Sequence, residues 1–119
     1  MREEIKKRIQ RAKEDLKAAE NSLKSGDYDW ASFQSQQAAE KALKALLIKR
    51  TGDFPRVHDL VKLSRLVNAS KEIMILCAKL NPSYIETRYP DLAKDYSKED
   101  ALEFIKISGD ILKWTEKHL

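Results

Sequence analysis

Gln37, Glu40, Lys41 and Lys44 lie within a strongly helical stretch, Ser35 to Leu47, at positions i, i+3, i+4 and i+7. That spacing sets four polar side chains on one stripe of a helix. Lys44 can take the charge of a phosphate while Glu40 orients that lysine or accepts from a base or ribose, or the stripe can pair across a protein interface. Phe33 and Ile48 bracket the stripe, so a setting only partly open to water is expected. His58, in Pro55-Arg56-Val57-His58-Asp59-Leu60, can donate to a phosphate or act as acid or base near neutral pH. It can equally hydrogen-bond to backbone at the start of a helix whose dipole favours Asp59. In Tyr84-Ile85-Glu86-Thr87-Arg88-Tyr89-Pro90-Asp91, Arg88 and Tyr89 together offer a phosphate-binding fork and a stacking surface. Asp91 would hold Arg88 in place; the alternative is a purely structural Arg–Asp pair with a tyrosine filling an interhelical groove.

Other chemistries find no pattern. There is no His-x-x-x-His pair, no second Cys and no acidic loop with calcium spacing. Gly26, Gly52 and Gly109 lie too far apart to build a phosphate cradle, and no Ser or Cys has a nucleophile motif around it. Neither a metal nor a cofactor is expected. Cys77, within Ile-Met-Ile-Leu-Cys-Ala, reads as a small buried apolar residue.

The elements that must position these groups are helices. Ala31, Ser35, Ala38, Ala42 and Ala45 fall on one narrow strip, with Ala39 and Leu46 beside it, so a neighbouring helix can approach closely. The pattern predicts helices over 3–24, 28–50, 57–67 and 70–82 and from Ser97 onward, with a structured loop over 83–97. Gly26 suits the left-handed position between the first two helices, and Asp27 or Asp29 can cap the second. Ser97 and Asp100 have capping-box spacing, with Asp where Glu or Gln is usual. Ala101, Phe104, Ile105, Ser108, Ile111, Leu112 and Thr115 form the inward face of the last helix. The expected fold is an all-α, up-and-down antiparallel bundle forming one domain over residues 1–119.

Composition agrees with that expectation. The chain has 119 residues, 42% of them apolar and 35% charged, and only three Gly and three Pro, too few for an all-β fold. Residues 1–17 hold seven Lys/Arg against four Asp/Glu, and residues 49–71 hold six against two. Basic regions of this size can attract phosphates, although interspersed charge more often serves solubility. No run approaches the ~20 apolar residues that span a bilayer. The N-terminus lacks a signal-peptide core, so a cytoplasmic protein is expected.

Taken together, Gln36-Gln37-Ala38-Ala39-Glu40-Lys41-Ala42-Leu43-Lys44-Ala45-Leu46-Leu47, His58-Asp59-Leu60 and Arg88-Tyr89-Pro90-Asp91 resemble the HEPN domain family in order and spacing. The resemblance implies a small helical bundle that commonly forms homodimers. It also implies a minimal nucleotidyltransferase as partner in a toxin–antitoxin-like pair, with nucleotide binding or RNA cleavage as activities. Ribonucleases of the family carry an Arg and a His a few residues apart on one helix. Here Arg50 is separated from His58 by a turn containing Gly52 and Pro55, Arg56 is too close, and Lys113 stands where His118 would need an arginine. The preferred expectation is therefore a nucleotide- or partner-binding protein using Gln37, Glu40, Lys41, Lys44, His58, Arg88, Tyr89 and Asp91. A metal-independent endoribonuclease with His58 as acid or base, and a purely structural homodimerising adaptor, are the alternatives.

Overall fold

A computed structural model describes residues 2–81 and 95–119. Among them are five helices and no strand: α1 (Glu3–Lys24), α2 (Tyr28–Thr51), α3 (Leu60–Leu66), α4 (Lys71–Leu80) and α5 (Lys98–His118). The alanine-rich helix lies at the centre. Ala31, Ser35, Ala38, Ala42 and Ala45 have no exposed surface, and α2 packs against α1, α3 and α5. Small side chains allow that close approach, and Ser108 on α5 donates through Oγ to the Ser35 carbonyl at 2.7 Å.

Two apolar clusters share α2. Ile5, Ile9 and Ala12 of α1 meet Ala42, Ala45 and Ile48 of α2 and Leu112 of α5. On the other side, Leu43, Leu46 and Leu47 meet Leu60, Leu63, Ile73, Cys77, Leu80 and Ile111. Each such large side chain, fully buried, contributes about 1.5–3 kcal/mol of apolar transfer free energy. On α5, Ala101, Ser108, Ile111, Leu112 and Thr115 are buried, as the pattern predicts, whereas Phe104 and Ile105 are only half-buried and Ile107 is buried instead.

The turns follow local chemistry. Gly26 and Gly52 adopt φ of 80° and 86°, the left-handed conformation that costs other residues strain. Ser70 caps α4, and Ser97 forms a full capping box with Asp100. Two expectations need correction. Neither aspartate caps α2: the Asp27 side chain makes no cap hydrogen bond, and Asp29 instead accepts from the Tyr96 backbone N–H at 2.9 Å. The third helix begins at Leu60, not at residue 57, because the Asp59 carboxylate accepts from the Val61 and Lys62 N–H groups and starts the helix there. His58 therefore lies in the extended approach to α3. Among the described residues, no helix is long and apolar enough to cross a membrane.

Candidate functional site

A buried carboxylate organises the site. Gln36, Glu40 and Lys44 succeed one another at four-residue spacing on α2 and so line up along one side of it. Glu40 is 6% exposed and Lys44 8%. The Lys44 ammonium donates to Glu40 Oε2 at 3.0 Å, and Gln36 Nε2 reaches Glu40 Oε1 at 3.4 Å. The loop between α2 and α3 brings in His58, whose Nδ1 lies 3.1 Å from both Glu40 oxygens. An ionised carboxylate only accepts, so Nδ1 carries the proton in this contact and a neutral ring has Nε2 as its acceptor nitrogen. The His58 side chain is half-exposed, which puts the imidazole between the buried carboxylate and solvent.

Several anchors hold that loop. Gln36 Nε2 donates to the His58 carbonyl at 3.1 Å. Asp59 Oδ1 accepts from Asn81 Nδ2 at 2.9 Å, and the Leu60 N–H donates to Asn81 Oδ1 at 2.8 Å, tying the start of α3 to the end of α4. Phe54 supplies a wall with two cations against its ring: the Arg8 guanidinium carbon at 4.6 Å and Lys44 Nζ at 5.2 Å from the centroid. Lys44 is the cation that Glu40 links to the imidazole, while Arg8 lies over the Phe54 ring and pairs with Glu4 at 3.6 Å.

The structure brings together three of the residues expected from sequence: Glu40, Lys44 and His58. Gln37 sits one layer out, donating through Nε2 to Gln36 Oε1 at 2.7 Å. Lys41 points away from the cluster and pairs with Asp15 of α1 at 2.5 Å. The four-residue polar stripe thus divides between two faces of α2. Arg88, Tyr89 and Asp91 lie outside the described residues. Gln36, Arg8 and Phe54 were not anticipated. The four-residue steps from Gln36 to Glu40 to Lys44 were the available signal for Gln36, whereas nothing local pairs Arg8 with Phe54.

The other expected elements of chemistry have structural occupations. Arg50 donates through Nη1 to the Val67 carbonyl. His118 stays helical, with its Nδ1 2.8 Å from the Trp114 carbonyl and its ring stacked on that indole. Glu40 and His58 acquire no third His, Cys, Asp or Glu that could complete a metal-ligand group among the described residues. Cys77 is buried against Ser64, and that burial pushes its thiol up to about 12.

Comparison with known proteins agrees with the architecture. The HEPN domain family matches residues 5–118, and the chain belongs to that family. MJ1304 of Methanocaldococcus jannaschii, named as a candidate toxin, is 31% identical over 123 residues, covering 88% of this chain and 81% of its own. The crystal structure of TT1696 from Thermus thermophilus superposes with a TM-score of 0.89 at 32% identity, over 97% of this chain and 98% of that one. ST0689, described as an archaeal HEPN homologue, gives a TM-score of 0.80 at 33% identity over 95% of each chain.

Proposed function

We propose that this chain is the HEPN member of a toxin-type pair and that it binds a nucleotide phosphate at the Glu40–Lys44–His58 cluster. The observation that carries the reading is the buried Glu40 carboxylate holding a lysine and a histidine from two different elements. Burying a carboxylate is expensive unless it is paired and hydrogen-bonded, so the arrangement fixes both partners in place beforehand. Lys44 has three N–H donors, of which Glu40 takes one among the described residues. The half-exposed imidazole stands at the rim, with the Lys44 ammonium behind it as the charge that takes the phosphate. Similarity to MJ1304, a candidate toxin, supports the toxin-type role. A minimal nucleotidyltransferase is the counterpart, and a homodimer the assembly. Calorimetric titration with ATP tests the ligand: saturable heat that weakens at least tenfold in His58→Ala is expected. No heat at millimolar ATP would sink the nucleotide reading and leave the structural adaptor.

The His58–Glu40 contact also favours a second reading, metal-independent RNA cleavage by 2′-hydroxyl attack. A carboxylate on Nδ1 holds the imidazole in one orientation at the rim, as general acid–base chemistry requires. That reading predicts RNA cleavage in EDTA that disappears in His58→Ala. Cleavage unaffected by the substitution would assign the activity to other residues or to a contaminant.

A further inference from the structure

From the contacts of α2 we infer that Gln36 is a positioning residue of this site. Together with Glu40, one turn further along the helix, it grips His58 at both backbone and ring, and the affinity for the phosphate ligand depends on that double hold. The inference rests on the nucleotide-binding reading above and adds to it a side chain that touches no ligand. Gln36 has no exposed surface. Leu43 and Leu47 follow it on the same side of α2 and pack in the core, so an apolar residue would be the ordinary occupant of position 36. Burying an amide there is costly unless its polar atoms find partners, and both its nitrogen and its oxygen do.

The amide fits in only one sense. Its Nε2 faces two acceptors, the His58 carbonyl at 3.1 Å and Glu40 Oε1 at 3.4 Å, while its Oε1 accepts from Gln37 Nε2 at 2.7 Å. Turned over, it would set its oxygen against those of a carbonyl and a carboxylate. Glu40 Oε1 in turn lies 3.1 Å from His58 Nδ1. The contacts therefore close a ring that runs from the His58 carbonyl through Gln36 and Glu40 to the imidazole of the same residue. Holding one residue at two points from a rigid helix restricts its backbone and side-chain torsions together. His58 needs that restriction, because it lies in the extended approach to α3 and has no helical ladder of its own. Its neighbour Asp59 is held from the other side by Asn81 Nδ2. Without the Gln36 donor the ring can still meet Glu40, but the loop that carries it loses one tether to α2. A site that is assembled for only part of the time binds more weakly in proportion to that fraction.

The test compares wild type with Gln36→Met, Gln36→Asn and Ile73→Val, using calorimetry with ATP and the nitrogen NMR shifts of the His58 ring, which report which nitrogen carries the proton. Methionine matches glutamine in length without its donor, and asparagine keeps the amide but falls one methylene short of the two acceptors. Ile73→Val thins the core from α4, a helix that supplies no residue of the cluster. Expected for Gln36→Met is about fivefold weaker ATP binding, the effect of one hydrogen bond of ordinary strength. Its His58 ring shifts should move towards those of an unconstrained histidine. Gln36→Asn should change in the same direction, and it carries the test if the methionine variant does not fold. Ile73→Val loses stability too, yet should keep wild-type affinity and ring shifts. Wild-type affinity and ring shifts in a folded Gln36 variant would overturn the positioning role while the nucleotide site stands. Equal changes in Ile73→Val would overturn it as well, by assigning them to general loosening. If wild type takes up no ATP, the nucleotide reading falls instead, and displaced ring shifts in Gln36→Met would still uphold the hold on His58.

Discussion

Replacing Glu40 by Gln should destabilise the fold far more than a surface charge change would. The carboxylate is 6% exposed and receives Lys44, His58 and Gln36, while Lys44 is itself 8% exposed. Glutamine keeps the shape but removes the charge, leaving a buried ammonium without its counter-ion. Breaking a buried pair in this way costs about 3–5 kcal/mol. The Phe54 ring beside Lys44 offsets part of that, by about 0.5–1 kcal/mol or more where water is excluded. A net loss of about 3 kcal/mol lowers Tm by about 10 °C in a chain of this size. Urea unfolding at neutral pH measures it directly. The double variant Glu40→Gln/Lys44→Met removes the stranded charge as well and should recover at least half of the loss. A single-variant cost below about 0.5 kcal/mol, the range of ordinary surface changes, would refute the claim that Glu40 anchors a buried charge network.

Three further outcomes follow from the same geometry. Burial raises the Cys77 thiol from 9.0 to about 12, so its contribution to stability is complete below pH 9 and is lost as pH rises towards 12. At pH 10.5 wild type should have lost about 2 kcal/mol more than Cys77→Ala relative to pH 8; parallel pH profiles in urea unfolding would contradict the assignment. Asp59→Ala removes the cap of α3 and the link to Asn81, costing about 1–2 kcal/mol. It should also broaden the His58 ring signals in NMR, and sharp, unshifted signals would show that the cap does not position the imidazole. Ala42→Leu forces a large side chain into a fully buried small-residue contact and should cost about 1–3 kcal/mol by chemical denaturation; wild-type stability would mean that α2 is less tightly enclosed than its burial indicates.

Much of the fold is legible in the residues because it rests on local periodicity. The Ala31–Ala45 strip, the left-handed Gly26 and the Ser97–Asp100 box each follow from spacing or from one residue's conformational preference. The start of α3 is harder to read, since residues 57–59 fit the helical pattern and only the side-chain cap of Asp59 sets where helix begins. The site is legible in part. Glu40 and Lys44 form an (i, i+4) pair readable from sequence, but a helical wheel does not show that Lys41 turns to Asp15 while Gln36 turns inward. Those choices depend on which neighbours α1 and the α2–α3 loop present. The contacts of Phe54 with Arg8 and of His58 with Glu40 are tertiary, and no local pattern encodes them.

The central claim is that a carboxylate-held imidazole at the rim of the Glu40–Lys44 pair receives a nucleotide phosphate. It is tested most directly by following the two histidine ring spectra while ATP is added to the intact protein. His58 signals should shift saturably, and those of His118, stacked on Trp114, should move much less. In Lys44→Met the His58 shift should require at least tenfold more ATP. A His58 ring that does not respond to millimolar ATP would contradict the account.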